Sequence, residues 1–233
     1  MPSPHTPTPT LILVHGAWHG AWCWSAFESE LRARGVPAHA LELTSHGAQG
    51  AAVGDLRSDV ELLRRTVREV DGPVVLLGHS YGGLVVTEGA EGLDNVTRLI
   101  YLSAFLPGPG DSMVKMTGGG NAPWIHRADG LMTIAAGWGE KLFYSDCPPD
   151  LAAKAESQLA PQSAVSFQQE VRATAWQQLP STYIVCTEDR AIAPDGQRRM
   201  AAMAGCEVVE LRSGHSPFMT QPDRLADLLL ERL

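Results

Sequence analysis

The sequence lacks the features that mark membrane-spanning and secreted proteins. Its apolar runs are far shorter than the roughly 20 residues that a membrane-spanning helix needs. The first ten residues are rich in proline and threonine and have no apolar core, so they do not form a signal peptide. We therefore expect a cytoplasmic protein that does not enter a membrane, with residues 1–10 as a disordered tail.

Basic clusters and metal-binding cysteine patterns are also missing. The chain of 233 residues has 18 Lys and Arg against 26 Asp and Glu, which gives a formal net charge of −8. We expect no nucleic-acid partner, because phosphate contacts need a basic face. The four cysteines fit no CxxC or metal-ligand spacing. We accordingly expect reduced cysteines and no metal site.

The sequence does contain an alternation of strand and helix signals, which is typical of a parallel α/β sheet. Short apolar runs predict the strands, and apolar residues at helical spacing predict the helices between them. The predicted strands cover 11–15, 38–43, 73–77, 98–102, 182–186 and 207–211. The predicted helices of this core cover 21–34, 54–70, 80–91, 194–204 and 223–233.

The alternation stops between residues 107 and 178. Three glycines at 118–120, prolines at 148 and 149 and scattered tryptophans interrupt the pattern, and only 150–162 and 164–173 resemble helices. We predict a cap insertion at 107–178, above the carboxyl edge of the sheet. The segments 11–106 and 179–233 then form one α/β core, as the chain length suggests.

The segment Gly78-His79-Ser80-Tyr81-Gly82 carries the clearest chemical signal. It stands between an apolar strand and a helix, which is the context that a nucleophile elbow requires. Residues two before and two after the serine must be small because the turn is so tight, and the turn lifts the hydroxyl above the sheet. We predict that Ser80 is the nucleophile of a serine hydrolase.

A serine hydroxyl needs a base, and the elbow predicts the order serine, acid, histidine along the chain. His215 follows the last predicted strand, and the other histidine after the elbow is His126 in the insertion. Asp189 follows the penultimate strand, where a carboxylate can orient the imidazole. Glu188 and Asp195 compete for this acid role. We predict His215 as the base and Asp189 as the acid.

Two backbone N–H groups are expected to form an oxyanion hole. One belongs to Tyr81, which follows the nucleophile directly. The other belongs to Ala17, in the His-Gly segment after the first strand, where hydrolases with this elbow place their second donor. His15 in the same loop also has a purely structural interpretation, and His19 is expected at the pocket rim or the surface.

Three segments together resemble the plant methylesterase and hydroxynitrile lyase family, which includes salicylate methylesterases and small bacterial esterases. They are Leu13 to Trp22, Gly78 to Gly83 and Ile184 to Asp189. The resemblance runs from about residue 11 to the C terminus and is weakest between 107 and 145, and the segment from Cys147 to Ala152 resembles the start of the family's cap helix. It implies an α/β-hydrolase fold: a mainly parallel sheet flanked by helices, with a small helical cap. Carried over by position, it also implies the triad Ser80, Asp189 and His215 and the oxyanion donors Ala17 and Tyr81. The Ala- and Arg-rich composition suggests a bacterial member of the family.

The family contains two chemistries, and two positions favour the esterase. The lyases have Thr where this chain has Gly16, and Lys directly after the triad histidine, where this chain has Ser216. That Lys stabilises the departing cyanide, so its absence favours ester hydrolysis. Such hydrolysis requires neither a metal nor an organic cofactor.

Substrate choice is expected to depend on the insertion, because the core chemistry is generic. Apolar side chains there and beside the nucleophile predict a pocket for a hydrophobic or aromatic acyl group, although each can equally form the core of the cap. The candidates are Gly16, Trp18, Trp124, Trp138, Leu142, Phe143, Phe167 and Phe218.

The predicted function is hydrolysis of a small-molecule carboxylic ester, and several alternatives stay open. A lactone or thioester fits nearly as well. A cofactor-free oxygenase or a cyclase could keep the His–Asp pair on the same scaffold. A small-molecule binding protein would have no need of all three triad residues. The sequence leaves the oligomeric state open, a homodimer included.

Overall fold

The computed structural model describes residues 8–47, 53–119 and 122–233. Residues 1–7 of the predicted tail lie outside the described residues. Thr10, the last residue of the predicted tail, pairs with Val74 and is the first residue of a strand. In the part of the chain that the structure describes, no helix combines the length and the apolar character that crossing a bilayer requires.

In the described residues, six parallel strands form the main sheet, and three short strands form an antiparallel sheet in the insertion. The main sheet has the order β2-β1-β3-β4-β8-β9, and the small sheet has the order β5-β6-β7. In chain order the strands are β1 Thr10–Val14, β2 Ala38–Ala40, β3 Val74–His79, β4 Val96–Leu102, β5 Ile125–Ala128, β6 Leu131–Ile134, β7 Gln162–Ser163, β8 Ser181–Cys186 and β9 Glu207–Leu211. This is the α/β-hydrolase architecture that the sequence predicts.

Helices cover both faces of the main sheet. The α-helices are α1 Ser25–Ala33, α2 Leu56–Arg68, α3 Gly82–Gly89, α4 Met113–Met116, α5 Trp138–Leu142, α6 Pro149–Glu156, α7 Ala164–Gln168, α8 Pro194–Ala204, α9 Pro217–Thr220 and α10 Pro222–Leu230. Short 3-10 helices occupy Ala21–Trp24 and Ala175–Gln177.

The alternation of side chains along each strand explains why a separate hydrophobic core lies on each face of the sheet. Along β1, Leu11 and Leu13 belong to one buried cluster, and Ile12 and Val14 belong to the other. Successive side chains of a strand point to opposite faces, so a sheet that is covered on both sides needs an unbroken apolar run. Every residue of β3 is buried for this reason. The strand that carries the predicted nucleophile is therefore the rigid centre of the fold.

The predicted elements differ from the observed ones mainly at their ends, and the helix predicted at 21–34 begins as a 3-10 helix. The strand predicted at 38–43 ends at Ala40. The helix predicted at 150–162 ends at Glu156, before Pro161, whose ring cannot continue a helix. The helix predicted at 164–173 ends at Gln168, because Gln169 has extended backbone and its side chain donates a hydrogen bond to Asp55. The antiparallel sheet in the insertion was not predicted.

Because all six strands of the main sheet are parallel, their carboxyl ends lie along one edge. The loops after β1, β3, β4, β8 and β9 therefore converge there, as open α/β sheets arrange their ligand sites. The segment 107–178, which we call the cap, leaves the sheet after β4 and returns just before β8.

Candidate active site

Ser80 occupies the tight turn between β3 and α3. Its φ is +51°, in the left-handed region that non-glycine residues rarely adopt. A Cβ atom at Gly78 would lie 2.7 Å from the carbonyl oxygen of Gly82. The Ser80 carbonyl in turn accepts hydrogen bonds of 3.0 Å from the N–H groups of Gly83 and Phe105. The strained turn is therefore held from both sides, and it requires the small residues that flank it.

Asp189 and His215 form a buried pair at the same edge of the sheet. The Nδ1–H of His215 donates to Asp189 Oδ2 over 2.9 Å, and the two side chains are 1% and 0% exposed. Their loops are also fixed to each other, because the N–H of Glu188 donates to the carbonyl of Ser213 over 3.0 Å. Although far apart in sequence, the two residues meet because β8 and β9 are neighbours.

The Asp189 carboxylate is satisfied on both oxygens. Oδ1 accepts from the N–H groups of Ala191 and Ile192, at 2.7 and 3.0 Å, and Oδ2 accepts from Gln197 Nε2 at 2.8 Å. Burial raises the pKa of this carboxyl, but the neighbouring His215 and the hydrogen bonds outweigh burial and hold the pKa below its ordinary value. Asp189 is therefore an anion that can orient an imidazole and stabilise its charged form.

The competing candidates point away from this pair. The Glu188 side chain is 48% exposed and pairs with Arg212, and the Asp195 side chain is 83% exposed and pairs with Arg198. His126 is exposed on β5. Of the alternatives that the sequence left open, none is brought into the buried cluster.

Ser103 is a member of the cluster that the sequence analysis missed. Its hydroxyl donates to Asp189 Oδ2 and lies 3.1 Å from His215 Nδ1. It directly follows β4, the strand between β3 and β8, and its φ is +43°. A polar residue at the end of a buried apolar strand, beside the strand of the predicted nucleophile, was the available signal.

The predicted oxyanion donors are held by a buried polar network. Tyr81 OH donates to Asp59 Oδ2 over 2.9 Å, and Asp59 is completely buried. On the other side, Trp18 has a φ of +64°, and its N–H donates to Gln162 Oε1 over 3.2 Å. Because Trp18 directly follows Ala17, this bond from the cap fixes the loop of the predicted donor Ala17, which we call the oxyanion loop.

Three other buried histidines are neutral, and their partners define their tautomers. His15 Nδ1–H donates to the carbonyl of Gly16 over 2.8 Å, and His15 Nε2 accepts from the N–H of Leu43. His19 Nδ1–H donates to the carbonyl of Ala17 over 2.9 Å, and its Nε2 accepts from Tyr144 OH. A carbonyl can only accept, so each of these ring nitrogens carries the proton.

The third, His79, donates from Nε2–H to the carbonyl of His215 over 2.9 Å. Burial lowers the pKa of His15 and His79 well below the ordinary value, and lowers that of His19 to about 4. His79 therefore donates to the His215 loop as a neutral ring. None of these three histidines places a positive charge beside the site.

These buried histidines predict a loss of stability in mild acid. The unfolded chain binds protons below about pH 6.5, whereas the folded chain keeps the rings neutral until much lower pH, so the free energy of unfolding falls as the pH drops. For His19 alone the loss approaches about 3 kcal/mol near pH 4. We expect the Tm to fall by more than about 10 °C between pH 7 and pH 5. His19→Gln should flatten this dependence, whereas replacing the exposed His39 should leave it unchanged; equal slopes for all three proteins would contradict the interpretation.

A cavity of about 290 Å³ lies against Ser80. Ala17, Phe105, Ile192 and four of the predicted pocket residues, Trp18, Trp124, Phe143 and Phe167, are part of its lining. Trp18 is central, with ring centroids 5.9 Å from Phe143 and 5.5 Å from Phe167, and its Nε1–H donates to the carbonyl of Met132. Of the lining residues that the structure describes, none carries a charge.

Four other predicted pocket residues lie outside this lining. Phe218 is fully buried against Trp24 and His79, with ring centroids 4.5 and 4.8 Å away, so it belongs to the core under the site. Trp138 lies beneath the Lys141 ammonium, and Leu142 packs against the hydrophobic core. Gly16 has a different role: a Cβ there would lie 2.9 Å from Ser80 Cβ, so this position must stay free of a side chain.

Two further features were considered as ligand sites. A groove of about 680 Å³ beside β5 and β6 holds none of the predicted catalytic residues in the described part of the chain. His15, Glu42 and His46 offer ligand atoms within 4.8 Å of one another. Both ring nitrogens of His15 already have backbone partners, however, so we assign no metal to this cluster.

The comparisons with known proteins agree with this geometry. Residues 11–228 match the profile of the alpha/beta hydrolase family. The chain is 30% identical to a pyrethroid hydrolase of Sphingobium wenxiniae, over 95% of this chain and 86% of that protein. It is 27% identical to methyl jasmonate esterase 1 of Vitis vinifera, over 94% and 95% of the two chains.

The fold is similar as well. The crystal structure of a pyrethroid hydrolase from Sphingobium faniae superimposes with a TM-score of 0.85 at 27% identity and covers 96% of both chains. The family match spans nearly the whole chain, and the relatives include plant esterases as well as bacterial hydrolases. The chain is similar in sequence to plant esterases of this kind. The chain therefore belongs to the alpha/beta hydrolase family.

Proposed function

We propose that this α/β-hydrolase cleaves a small carboxylic ester through an acyl-enzyme on Ser80, with His215 as the base and Asp189 as the acid that orients it. The observation that carries the proposal is the buried Asp189–His215 pair on the same sheet edge as the strained Ser80, which lines a largely apolar cavity. A buried carboxylate that is hydrogen-bonded to an imidazole is the arrangement that orients a base for a serine nucleophile.

In the proposed reaction, His215 accepts the proton of the Ser80 hydroxyl as its oxygen attacks the ester carbonyl. The N–H groups of Ala17 and Tyr81 stabilise the negative oxygen that forms, which is often the largest catalytic effect. His215 then gives the proton to the departing alcohol and activates a water molecule, which releases the acid and frees the serine. Asp189 holds the imidazole with Nε2 free for these transfers.

The cavity favours a neutral, hydrophobic or aromatic substrate. Its uncharged lining offers no partner for a charged acyl group, and burying an unpaired charge costs several kcal/mol. Two relatives that are named for their substrates, a pyrethroid hydrolase and a methyl jasmonate esterase, support the same class of substrate. A lactone or thioester would use the same residues, and a substrate panel separates these classes.

The charges around His215 disfavour a hydroxynitrile lyase. Cyanide leaves as an anion and needs a cation near the base, but Ser216 is uncharged and completely buried. Arg212, the nearest basic residue in this loop, is 82% exposed and is paired with Glu188. The esterase proposal needs no such cation.

We expect hydrolysis of p-nitrophenyl and methyl esters with apolar acyl groups, and no release of cyanide from mandelonitrile above the uncatalysed rate. A Gly16→Thr, Ser216→Lys double variant should lose ester turnover, because the new Cβ presses on Ser80, and any trace of lyase activity should rise. The assays are release of p-nitrophenol and of cyanide, side by side. Cyanide release by the unaltered enzyme, without ester turnover, would reverse the choice.

A further inference from the structure

Asp146 joins the cap to both sides of the His215 loop. It lies in the turn between α5 and α6, and its Oδ2 accepts from the N–H of Gly214 over 2.7 Å. The same oxygen accepts from the hydroxyls of Ser213, over 3.2 Å, and of Thr220, over 3.4 Å. One carboxylate of the cap therefore binds residues that precede His215 and a residue that follows it.

The fit between Asp146 and Gly214 is too close to allow a side chain. A Cβ atom on Gly214 would collide with Asp146 Oδ1, so the glycine that precedes His215 is matched to the carboxylate. Asp146 Oδ1 itself is buried and has no hydrogen-bond partner in the described residues.

The turn that carries Asp146 is fixed independently. Tyr144, two residues earlier, is almost completely buried, and its hydroxyl donates to His19 Nε2 over 2.8 Å. His19 is in turn bound to the carbonyl of Ala17. The turn of Asp146 is thus connected to the oxyanion loop through the hydrogen bonds of Tyr144 and His19. Asp146 can therefore couple the position of that loop to the position of His215.

We propose that Asp146 is a positioning residue for His215. Its hydrogen bonds from the cap hold the His215 loop where the imidazole can act as the base. Asp189 and Ser103 set the direction of the imidazole ring, and His79 holds the His215 carbonyl. Asp146 instead sets the path of the backbone before and after the ring. This inference rests on the proposed role of His215 as base.

The test is the kinetics of Asp146→Ala and Asp146→Asn on an apolar p-nitrophenyl ester. We expect kcat to fall about 10–100-fold in the alanine variant with KM nearly unchanged, since a misplacement of about 1 Å can cost 10²-fold. The asparagine variant keeps an acceptor of similar shape but not the charge-assisted bonds, so a loss of roughly 3–10-fold is expected. The rate at which an organophosphonate labels Ser80 should fall in parallel with kcat.

Glu156→Ala is the matched control. The Glu156 carboxylate accepts from backbone N–H groups of Gly137 and Glu140 inside the cap and does not touch the His215 loop. The Glu156→Ala variant should have a lower Tm and a higher KM than the unaltered enzyme, while its kcat should stay within about twofold of the unaltered value.

Equal kcat losses in Glu156→Ala and Asp146→Ala would overturn the positioning role, and so would two Asp146 variants within twofold of the unaltered enzyme. If Asp146→Ala does not fold, Asp146→Asn is judged alone: a kcat within twofold of that of the unaltered enzyme would overturn the positioning role. Failure of the proposed function itself would appear differently, as an unaltered enzyme without ester turnover.

Discussion

Ser80→Ala is expected to lower kcat for ester hydrolysis by about 10⁴–10⁶-fold, by analogy with the removal of other triad nucleophiles. In the proposed reaction the hydroxyl oxygen forms the acyl-enzyme, and nothing in the alanine variant can replace it. The fold should be unaffected, because the left-handed backbone at this position is imposed by the neighbouring glycines and by the hydrogen bonds to the Ser80 carbonyl.

Labelling provides the independent readout. An organophosphonate should add its mass to Ser80 in the unaltered enzyme and to no residue of the alanine variant. Ser103→Ala is the informative control, since Ser103 is a fully buried serine of the cluster whose hydroxyl donates to the acid. Full activity of Ser80→Ala, or a label on Ser103, would show that the nucleophile is misassigned.

Asp189→Asn is expected to reduce kcat by up to about 10⁴-fold while the protein stays folded. The amide would keep the shape of the side chain but lose the charge that stabilises an imidazolium, and its NH₂ group could turn toward His215 and favour the wrong tautomer. The neighbours Ala191, Ile192 and Gln197 donate to the carboxylate and would no longer find two full acceptors.

The same experiment separates the three acidic candidates. Glu188→Gln and Asp195→Asn should change kcat by less than about threefold, because both carboxylates are exposed and exposed ion pairs contribute little. The measurement is kcat and KM for one ester at constant pH, with the Tm as a check on folding. If Glu188→Gln proved the most damaging of the three, the acid would have to be reassigned.

The sequence predicted what depends on chain order and local pattern. The elbow around Ser80 is a local motif, and the loops of Asp189 and His215 could be placed because each follows a recognisable strand of a parallel sheet. The strands of the cap escaped prediction because they are short and their side chains are largely half-buried or exposed, without clear alternation. The helix predicted at 150–162 was too long, although the predicted segment contained Pro161.

What the sequence could not supply are contacts between distant segments. Ser103 reaches Asp189 from another strand, and Gln162 reaches Trp18 across 144 positions of the chain. No periodicity relates such residues. Phe218 was assigned to the pocket because it follows His215 closely, but α9 begins at Pro217 and directs the ring into the core beside Trp24.

The bond between Gln162 and the N–H of Trp18 has a consequence for engineering. Trp18 belongs to the core segment and lines the cavity, yet its backbone is held by the cap, and Gln162 also donates to Ser45 and Ser166. A chimaera that receives residues 107–178 from a relative would inherit a new acyl pocket and lose these bonds wherever the donor lacks a matching amide. Recombination of this enzyme for new substrates should therefore exchange the cap together with the 15–19 loop.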